Sequence, residues 1–177
     1  HGTLDRFIGD AILAYFGCPV RDAMHPAQAC RAALVMQRRM RELNAEWEAA
    51  GLPSLRMRMG LNTGRVVAGN MGTDTVFHYT IIGDAVNLAS RLESVNKIYG
   101  TDMLAGEETR RLTGDQFVWR EIDRVKVKGR ATAATIYTLI GQAGDVREPD
   151  TARRVYECYT AGLIAYRMEL GREVIDI

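Results

Sequence analysis

The sequence has few of the residues that mark several functional classes. It contains three cysteines in 177 residues, and Cys18, Cys30 and Cys158 are far apart and odd in number. Their spacing fits neither a metal site nor a disulfide framework, which favours a reducing compartment and a cytoplasmic location. The formal net charge at pH 7 is only +1, so charge gives no reason to expect nucleic acid or an anionic membrane as a partner.

Long hydrophobic runs are also missing. No apolar run approaches the roughly 20 residues that a membrane-spanning helix needs, and no signal peptide is visible at the start. The first residue is His1 and not methionine, so we expect natural sequence upstream. Hydrophobic residues make up 47% and charged residues 25% of the chain, which is ordinary for a globular protein long enough to bury a core.

The stretch from Tyr79 to Glu93 is the most informative part of the sequence. It begins as an apolar, β-branched run that suits a buried strand. Gly83 then permits a turn, and Asp84 is a good N-cap for a helix that begins at Ala85. Apolar residues recur along that helix at the spacing of one stripe, at Ala85, Leu88, Ala89 and Leu92.

Two polar residues lie on the opposite face of this predicted helix. Asn87 and Arg91 are four residues apart, so their side chains point in the same direction. An arginine fork suits phosphate oxygens, and the asparagine amide can donate or accept a hydrogen bond. Taken alone, such a pair also fits an ordinary solvated helix face.

The flanking sequence predicts a β-hairpin and a long helix ahead of this stretch. Residues 3–8 and 11–16 read as two strands joined at Gly9 and Asp10, where Asp10 suits a turn. Residues 22–50 then follow a helical period. The face of that helix expected to be buried consists of Ala29, Ala33, Met36, Met40, Leu43 and Trp47.

The rest of the chain predicts short strands and helices. Residues 55–61 alternate as a half-buried strand, with 65–69 as the expected partner and 69–72 as a loop. Further expected elements are a strand at 101–104, a helix at 106–112, and antiparallel strands at 117–127 and 135–140. Residues 141–150 look like a linker, and residues 151–177 carry a helical pattern that could pack back on the domain or begin another module.

Three blocks of the sequence resemble the class III nucleotide cyclases, the adenylyl and guanylyl cyclases. They are Leu4–Ala11, Met59–Gly64 and Tyr79–Glu93, and the resemblance covers about residues 2 to 140. It implies an α+β catalytic domain over residues 1–140, with a palm or ferredoxin-like, antiparallel-rich sheet and helices packed on it. Family members begin with a strand that carries another metal-binding aspartate, followed by two helices. We find no counterpart of these elements here, and therefore expect an N-terminally truncated domain followed by a C-terminal helix.

The resemblance also implies roles for individual residues. Asn87 would orient the ribose and Arg91 would stabilise the pentacoordinate phosphorus. Asp10 would be one of two carboxylates that bind Mg²⁺ or Mn²⁺, since a divalent cation bridging a triphosphate requires hard oxygen ligands. Lys128, which directly precedes Gly129, would contact the triphosphate. An edge-strand lysine that protects against aggregation is the alternative interpretation of Lys128.

The remaining implied contacts concern the purine. Arg6 occupies the position where the family usually has a lysine that reads the N1 edge of adenine. Thr80 occupies the position of an aspartate or threonine that contacts the purine amino group, and Ile81 is a further expected substrate-binding residue. Guanylyl cyclases usually have glutamate and cysteine at the positions of Arg6 and Thr80. Arginine is planar and longer than lysine, so we expect weaker discrimination between purines than in a typical member.

The leading hypothesis from sequence is therefore an adenylate cyclase catalytic domain. It would convert ATP to 3′,5′-cyclic AMP and pyrophosphate at the interface of a homodimer or with another cyclase domain. One alternative is a cyclase-homology domain that binds a nucleotide or a partner without turnover, and another is a guanylate cyclase.

Overall fold

A computed structural model describes residues 2–73, 75–126, 133–145, 158–159, 161–166, 168 and 175–176. Helical turns at 158–159 and 161–166 precede the last strand. The other elements, in chain order, are β1 (Gly2–Ile8), β2 (Ala11–Phe16), α1 (His25–Ala49), β3 (Met59–Leu61), β4 (Val67–Gly72), β5 (Phe77–Ile82), α2 (Asp84–Tyr99), β6 (Met103–Gly106), α3 (Glu107–Thr113), a 3₁₀ turn (Gly114–Gln116), β7 (Phe117–Lys126), β8 (Ala134–Gln142) and β9 (Ile175–Asp176).

The largest sheet contains five strands in the order β3-β6-β8-β7-β9. Its centre is antiparallel, because β8 pairs antiparallel with both β6 and β7. The outer pairs β3–β6 and β7–β9 are parallel. The predicted α+β class and the predicted β7–β8 pair are therefore confirmed.

Helices α1 and α2 cover opposite faces of this sheet. Successive residues of a strand point to opposite faces, and in β6 the side chain of Leu104 packs with α2, whereas Met103 and Ala105 pack with α1. All four residues of β6 are buried. The core therefore consists of two layers, one on each side of the sheet.

The predicted buried face of α1 is only partly correct. The helix begins at His25, and its buried residues are Pro26, Ala27, Cys30, Ala33 and Gln37. Of the predicted face only Ala33 is buried, and Met36 is 41% exposed. All of the buried residues lie in the first half of the helix, and they are mostly small. The prediction assumed one buried face along the whole helix, and it therefore chose the wrong residues apart from Ala33.

Two separate antiparallel ribbons carry the rest of the strands. The first is the predicted hairpin β1–β2, and the second pairs β4 with β5. Three expectations were wrong. The strand expected at 55–61 begins only at Met59, and residues 69–72 belong to β4 and are not a loop. In addition, β3 pairs with β6 and not with residues 65–69. In β5 only Thr80 is buried, since a two-stranded ribbon leaves most of its side chains exposed.

A close approach between β3 and α2 depends on Gly60. A Cβ atom at this position would overlap the backbone oxygen of Ala89 and would lie 2.5 Å from the backbone nitrogen of Glu93. Both neighbours are backbone atoms of α2, which cannot yield as a flexible side chain can. Glycine at residue 60 therefore lets α2 lie directly on β3.

We expect Gly60→Ala to lower the free energy of unfolding by about 1–3 kcal/mol, the usual cost of overpacking. Urea denaturation of the purified protein measures this change. Gly69→Ala in β4 is a matched control, because no atom lies within 4 Å of the Cβ that it would add, and it should stay within about 0.5 kcal/mol. Equal effects of the two substitutions would show that the β3–α2 contact is not the reason for Gly60.

Candidate functional site

Helix α2 is held to the sheet by a buried apolar stripe. Leu88, Leu92 and Val95 pack in one cluster with four strand residues, Leu104, Ile122, Val125 and Ile136. Ala85 is also buried, as the sequence pattern predicted. The helix begins at Asp84, one residue earlier than predicted, with Gly83 as its N-cap at φ 151°, a conformation that favours glycine.

One polar residue strengthens this attachment and was missed by sequence reasoning. Asn96 is fully buried, and its Nδ2 donates to the backbone oxygens of Met59 and Leu92, each at 2.9 Å. The Asn96 Oδ1 accepts a 2.8 Å hydrogen bond from the Thr101 hydroxyl. Buried amides are stable where their donors and acceptors are satisfied, so Asn96 joins α2 to β3 and to the loop before β6.

The predicted polar pair lies on the other side of α2. Asn87 is exposed and Arg91 is half-buried, and residues four apart on a helix are neighbours on its surface. The rigid attachment of α2 therefore fixes the direction in which both side chains leave the helix. An amide and a guanidinium in this arrangement can bind a polar, anionic ligand.

Asp10 is at the tip of the β1–β2 hairpin. It is exposed and lies in the turn next to Gly9, where an added Cβ would find no atom within 4 Å. Its carboxylate is thus an oxygen ligand open to solvent, which fits a hydrated divalent cation. Within the described ranges, no group of three or more His, Cys, Asp or Glu side chains is arranged to hold a metal ion. Asp10 and the Asn87–Arg91 pair lie on separate elements.

The structure brings two of the predicted purine contacts together. Arg6 of β1 donates from Nη2 to the Thr80 hydroxyl of β5 at 2.6 Å. A second contact joins the same two parts of the chain, because the Cys18 thiol and the Tyr79 hydroxyl lie 3.3 Å apart. Arg6 and Thr80 therefore form one small patch where the two ribbons meet.

Asp5 belongs to this patch and was not predicted. Its Oδ2 lies 2.6 Å from the Arg6 Nε, and its side chain is 1% exposed. Burial raises the pKa of Asp5, but hydrogen bonds to Arg6 and Thr80 and the nearby positive charges of Arg6 and His78 outweigh burial and lower it overall. Asp5 is therefore charged at neutral pH. Strand periodicity could not reveal this contact, because the β1–β2 register shifts between Leu4 and Arg6.

Ile81 lies on the other face of β5 from Thr80. Its side chain lines a cavity of about 140 Å³ between β2, β3 and the beginnings of α1 and α2. A ligand on the Thr80 side would therefore meet the backbone of Ile81 and not its side chain. Lys128, the predicted triphosphate contact, lies outside the described residues.

The cavity lies between the edges of two strands, β2 and β3. Its lining includes residues 13–16 of β2 and residues 60–61 of β3. Among the described residues, β2 pairs only with β1 and β3 pairs only with β6. Each strand therefore presents one unpaired edge at this cavity.

The helical residues near the C-terminus contact the domain. The Tyr159 hydroxyl donates to the backbone oxygen of Ile122 at 3.3 Å, and the Arg120 guanidinium lies 5.1 Å from the centroid of the Tyr159 ring. Tyr159 thus contacts β7, the same strand with which β9 pairs. In the part of the chain that the structure describes, no helix is long and apolar enough to cross a membrane.

Comparison with known proteins identifies relatives over most of the chain. The sequence model of the family described as the adenylate and guanylate cyclase catalytic domain matches residues 6–141. "Adenylate cyclase 1" of Rhizobium meliloti is 40% identical over 153 residues, which is 85% of this chain and 23% of that protein. "Adenylate cyclase" of Anabaena cylindrica is 38% identical over 145 residues, or 78% of this chain and 28% of that protein. The chain thus spans less than a third of the length of these relatives.

Solved structures of nucleotide cyclases share the fold of this chain. The adenylyl cyclase CyaB from P. aeruginosa superposes with a TM-score of 0.73 and 35% identity, covering 82% of this chain and 74% of that one. The guanylyl cyclase Cya2 superposes with a TM-score of 0.70 and 32% identity, covering 82% and 73%. The backbone is similar to both kinds of cyclase, so the backbone alone does not distinguish an adenylyl from a guanylyl cyclase.

Proposed function

The chain belongs to the adenylate and guanylate cyclase catalytic domain family, and on this basis we propose that it forms the catalytic part of an adenylate cyclase. Its substrate would be ATP, and its products 3′,5′-cyclic AMP and pyrophosphate. The observation that carries the proposal is α2, which is fixed to the sheet by its apolar stripe and by Asn96 while it carries Asn87 and Arg91 on its other side. The catalytic unit would extend to the end of β8 at Gln142, two residues beyond the boundary expected from sequence. Residues 143–150 would form a linker, and residues 151–177 a C-terminal segment that contains helical turns and β9.

The proposed chemistry is an attack of the ribose 3′-oxygen on the α-phosphorus. A new P–O bond closes the ring, and the bond from the α-phosphorus to the bridging oxygen breaks, so that pyrophosphate leaves with that electron pair. The 3′-hydroxyl gives its proton to a water molecule. Arg91 would donate hydrogen bonds to the phosphate oxygens, on which negative charge builds up during this step. Asn87 would hold the ribose so that the attacking oxygen faces the phosphorus.

Asp10 is the residue that would hold a divalent cation, Mg²⁺ or Mn²⁺. Its exposed carboxylate at the hairpin tip provides a suitable hard ligand. A bound cation neutralises part of the negative charge of the triphosphate and lowers the pKa of a hydroxyl bound to it. Lys128 would add a positive charge toward the same triphosphate.

The interface of a dimer would complete the site. Apolar side chains on the two ribbons are more than half exposed, among them Phe7 at 68%, Val67 at 64% and Phe77 at 62%. Contiguous exposed apolar patches mark interaction surfaces, and these side chains are concentrated on the two ribbons. We propose that a second cyclase domain covers them, with Asn87 and Arg91 of one subunit acting beside Asp10 of the other.

Adenine selection rests on Arg6 and on the relatives. A guanidinium carries only donors, so it favours the unprotonated N1 of adenine over the N–H that guanine has at that position. The two curated relatives described above are both named as adenylate cyclases. The similarity to the Cya2 structure keeps guanylate cyclase as the second candidate.

We expect the full-length protein to convert ATP in preference to GTP by at least about tenfold, the effect of one good hydrogen bond worth roughly 1.4 kcal/mol. Competing the two nucleotides in one assay with Mg²⁺ or Mn²⁺, and separating the cyclic products, measures this ratio. A preference for GTP would overturn the adenylate assignment. Binding of either nucleotide with no cyclic product would identify a non-catalytic cyclase-homology domain.

A further inference from the structure

Asp5 is an unusual residue for an exposed ribbon. Its neighbours in β1 include Leu4, Phe7 and Ile8, which are apolar and 56–68% exposed, whereas the charged Asp5 side chain is 1% exposed. A buried carboxylate is costly unless it is paired and hydrogen-bonded. The fold therefore buries the acid and exposes the apolar residues, which is the reverse of ordinary burial.

The register shift in β1 explains this arrangement. Leu4 pairs with Ala14 and Arg6 pairs with Leu13, so Asp5 is an extra residue opposite one step of β2. An extra residue of this kind re-aims the side chains around it and breaks the usual alternation. Asp5 and Arg6 can consequently contact each other and also reach the same residue of β5, Thr80.

Arg6 is held from two sides by this arrangement. Its Nε donates to Asp5 and its Nη2 donates to Thr80, both at 2.6 Å. A guanidinium has five N–H donors, so three remain outside these two bonds. The Arg6 side chain is still 47% exposed, whereas Thr80 is only 4% exposed. The group that a ligand can reach at this patch is thus Arg6.

We propose that Asp5 is a positioning residue for purine selection, which, together with Thr80, holds the Arg6 guanidinium in one orientation so that Arg6 alone reads the base. This inference rests on the proposed function. A rigid donor rejects guanine because the donor faces the N–H at position 1 and neither group finds an acceptor. A mobile arginine can turn instead toward the O6 acceptor of guanine, so release of Arg6 reduces the selectivity.

The test measures kcat and KM for ATP and for GTP with the full-length protein and its Asp5→Asn variant. Asn keeps the volume of Asp but removes the charge, and charge-assisted hydrogen bonds are about twice as strong as neutral ones. We expect the ATP:GTP ratio of kcat/KM to fall by about fivefold, the loss of roughly one hydrogen bond, through KM and not kcat. Thr80→Val replaces the hydroxyl that accepts from Arg6 with a methyl group of similar size. It should lower the ATP:GTP ratio as well, and it tests the same proposal if Asp5→Asn does not fold.

The decisive comparison repeats Asp5→Asn and Thr80→Val in an Arg6→Ala background. If both residues act through Arg6, their effect on the ratio should shrink to less than about twofold. An unchanged ratio in the Arg6-containing protein, or the same loss in both backgrounds, would overturn the proposal. Asp102→Asn is the matched control. Asp102 pairs with the Arg56 Nε at 2.6 Å, the same distance as in the Asp5–Arg6 pair, but it does not belong to this patch. This variant should leave the ATP:GTP ratio unchanged.

A binding measurement separates this inference from the proposed function. Displacement of a fluorescent ATP analogue by ATP and by GTP gives a binding ratio without any turnover. A protein that makes no cyclic nucleotide contradicts the proposed function, but its binding ratio still decides the role of Asp5. A ratio that falls with Asp5→Asn only when Arg6 is present supports the inference, and a ratio that does not fall overturns it.

Discussion

Replacing Arg91 with alanine in the full-length protein is expected to lower turnover by about 10²-fold or more, equivalent to roughly 2.7 kcal/mol. ATP binding should change by only a few-fold. The reason is that the guanidinium would act mainly on charge that develops at the phosphorus during ring closure. An interaction that strengthens in the transition state affects kcat and leaves ground-state binding largely intact.

Steady-state kinetics with ATP, together with binding of an ATP analogue that cannot cyclise, would separate these two effects. Arg38→Ala is a suitable control, because Arg38 is an exposed arginine on α1, and it should leave both quantities within about twofold. Arg91→Lys should restore only part of the activity, since an ammonium cannot present the planar fork of a guanidinium. If Arg91→Ala weakened binding and turnover by the same factor, the proposed transition-state role would be wrong.

Asn87→Ala should resemble Arg91→Ala, because both side chains leave α2 on the same side. Its effect should also lie in kcat, since the amide would orient the ribose oxygen that attacks. The double variant should lose less than the sum of the two single effects if the two side chains act as one unit.

Local patterns in the sequence predicted the elements that depend on neighbouring residues. The β1–β2 hairpin follows from a two-residue turn between two apolar runs, and the α2 stripe follows from the 3.6-residue period. These two elements carry Asp10, Asn87 and Arg91, so most of the candidate site could be located before the fold was known. The resemblance to cyclases supplied their proposed roles, which periodicity alone does not contain.

Contacts between distant residues could not be predicted in the same way. β3 pairs with β6, more than 40 residues later in the chain, and alternation along β3 contains no information about that partner. The burial of Asp5 depends on a register shift and on Thr80, 75 residues away, so a rule that exposes charged residues gives the wrong answer. Asn96 looks like any polar helix residue until β3 and Thr101 surround it.

The 177-residue chain by itself is expected to have little or no cyclase activity, although it carries Asp10, Asn87 and Arg91. The resemblance implies two metal-binding carboxylates, and in this chain we assign only Asp10 to that role. The cavity between β2 and β3 gives a second, independent reason, because both strands present an unpaired edge there. Unpaired edges weaken the sheet and invite association with other strands.

This expectation can be checked by assaying cyclic AMP made by the purified chain, beside the full-length protein at the same molar concentration. We expect at least about a 10²-fold difference, because removing a group that stabilises developing charge typically costs that much. Robust activity from the chain alone would mean that its own residues complete the site. Circular dichroism of the purified chain is the necessary control, since an unfolded chain would also be inactive.

A mixing experiment tests whether the chain can restore activity to an inactive partner, a full-length Arg91→Ala variant. If each active site takes its metal carboxylates from one subunit and its Asn and Arg from the other, the chain can donate Asn87 and Arg91 to a complete partner. Activity should then rise with added chain up to a plateau set by the full-length variant, because only mixed dimers combine the two sets of residues. A chain that itself carries Arg91→Ala is the matched control and should restore nothing. Failure of the intact chain to restore activity, when size-exclusion chromatography shows that mixed dimers have formed, would contradict this division of the site between subunits.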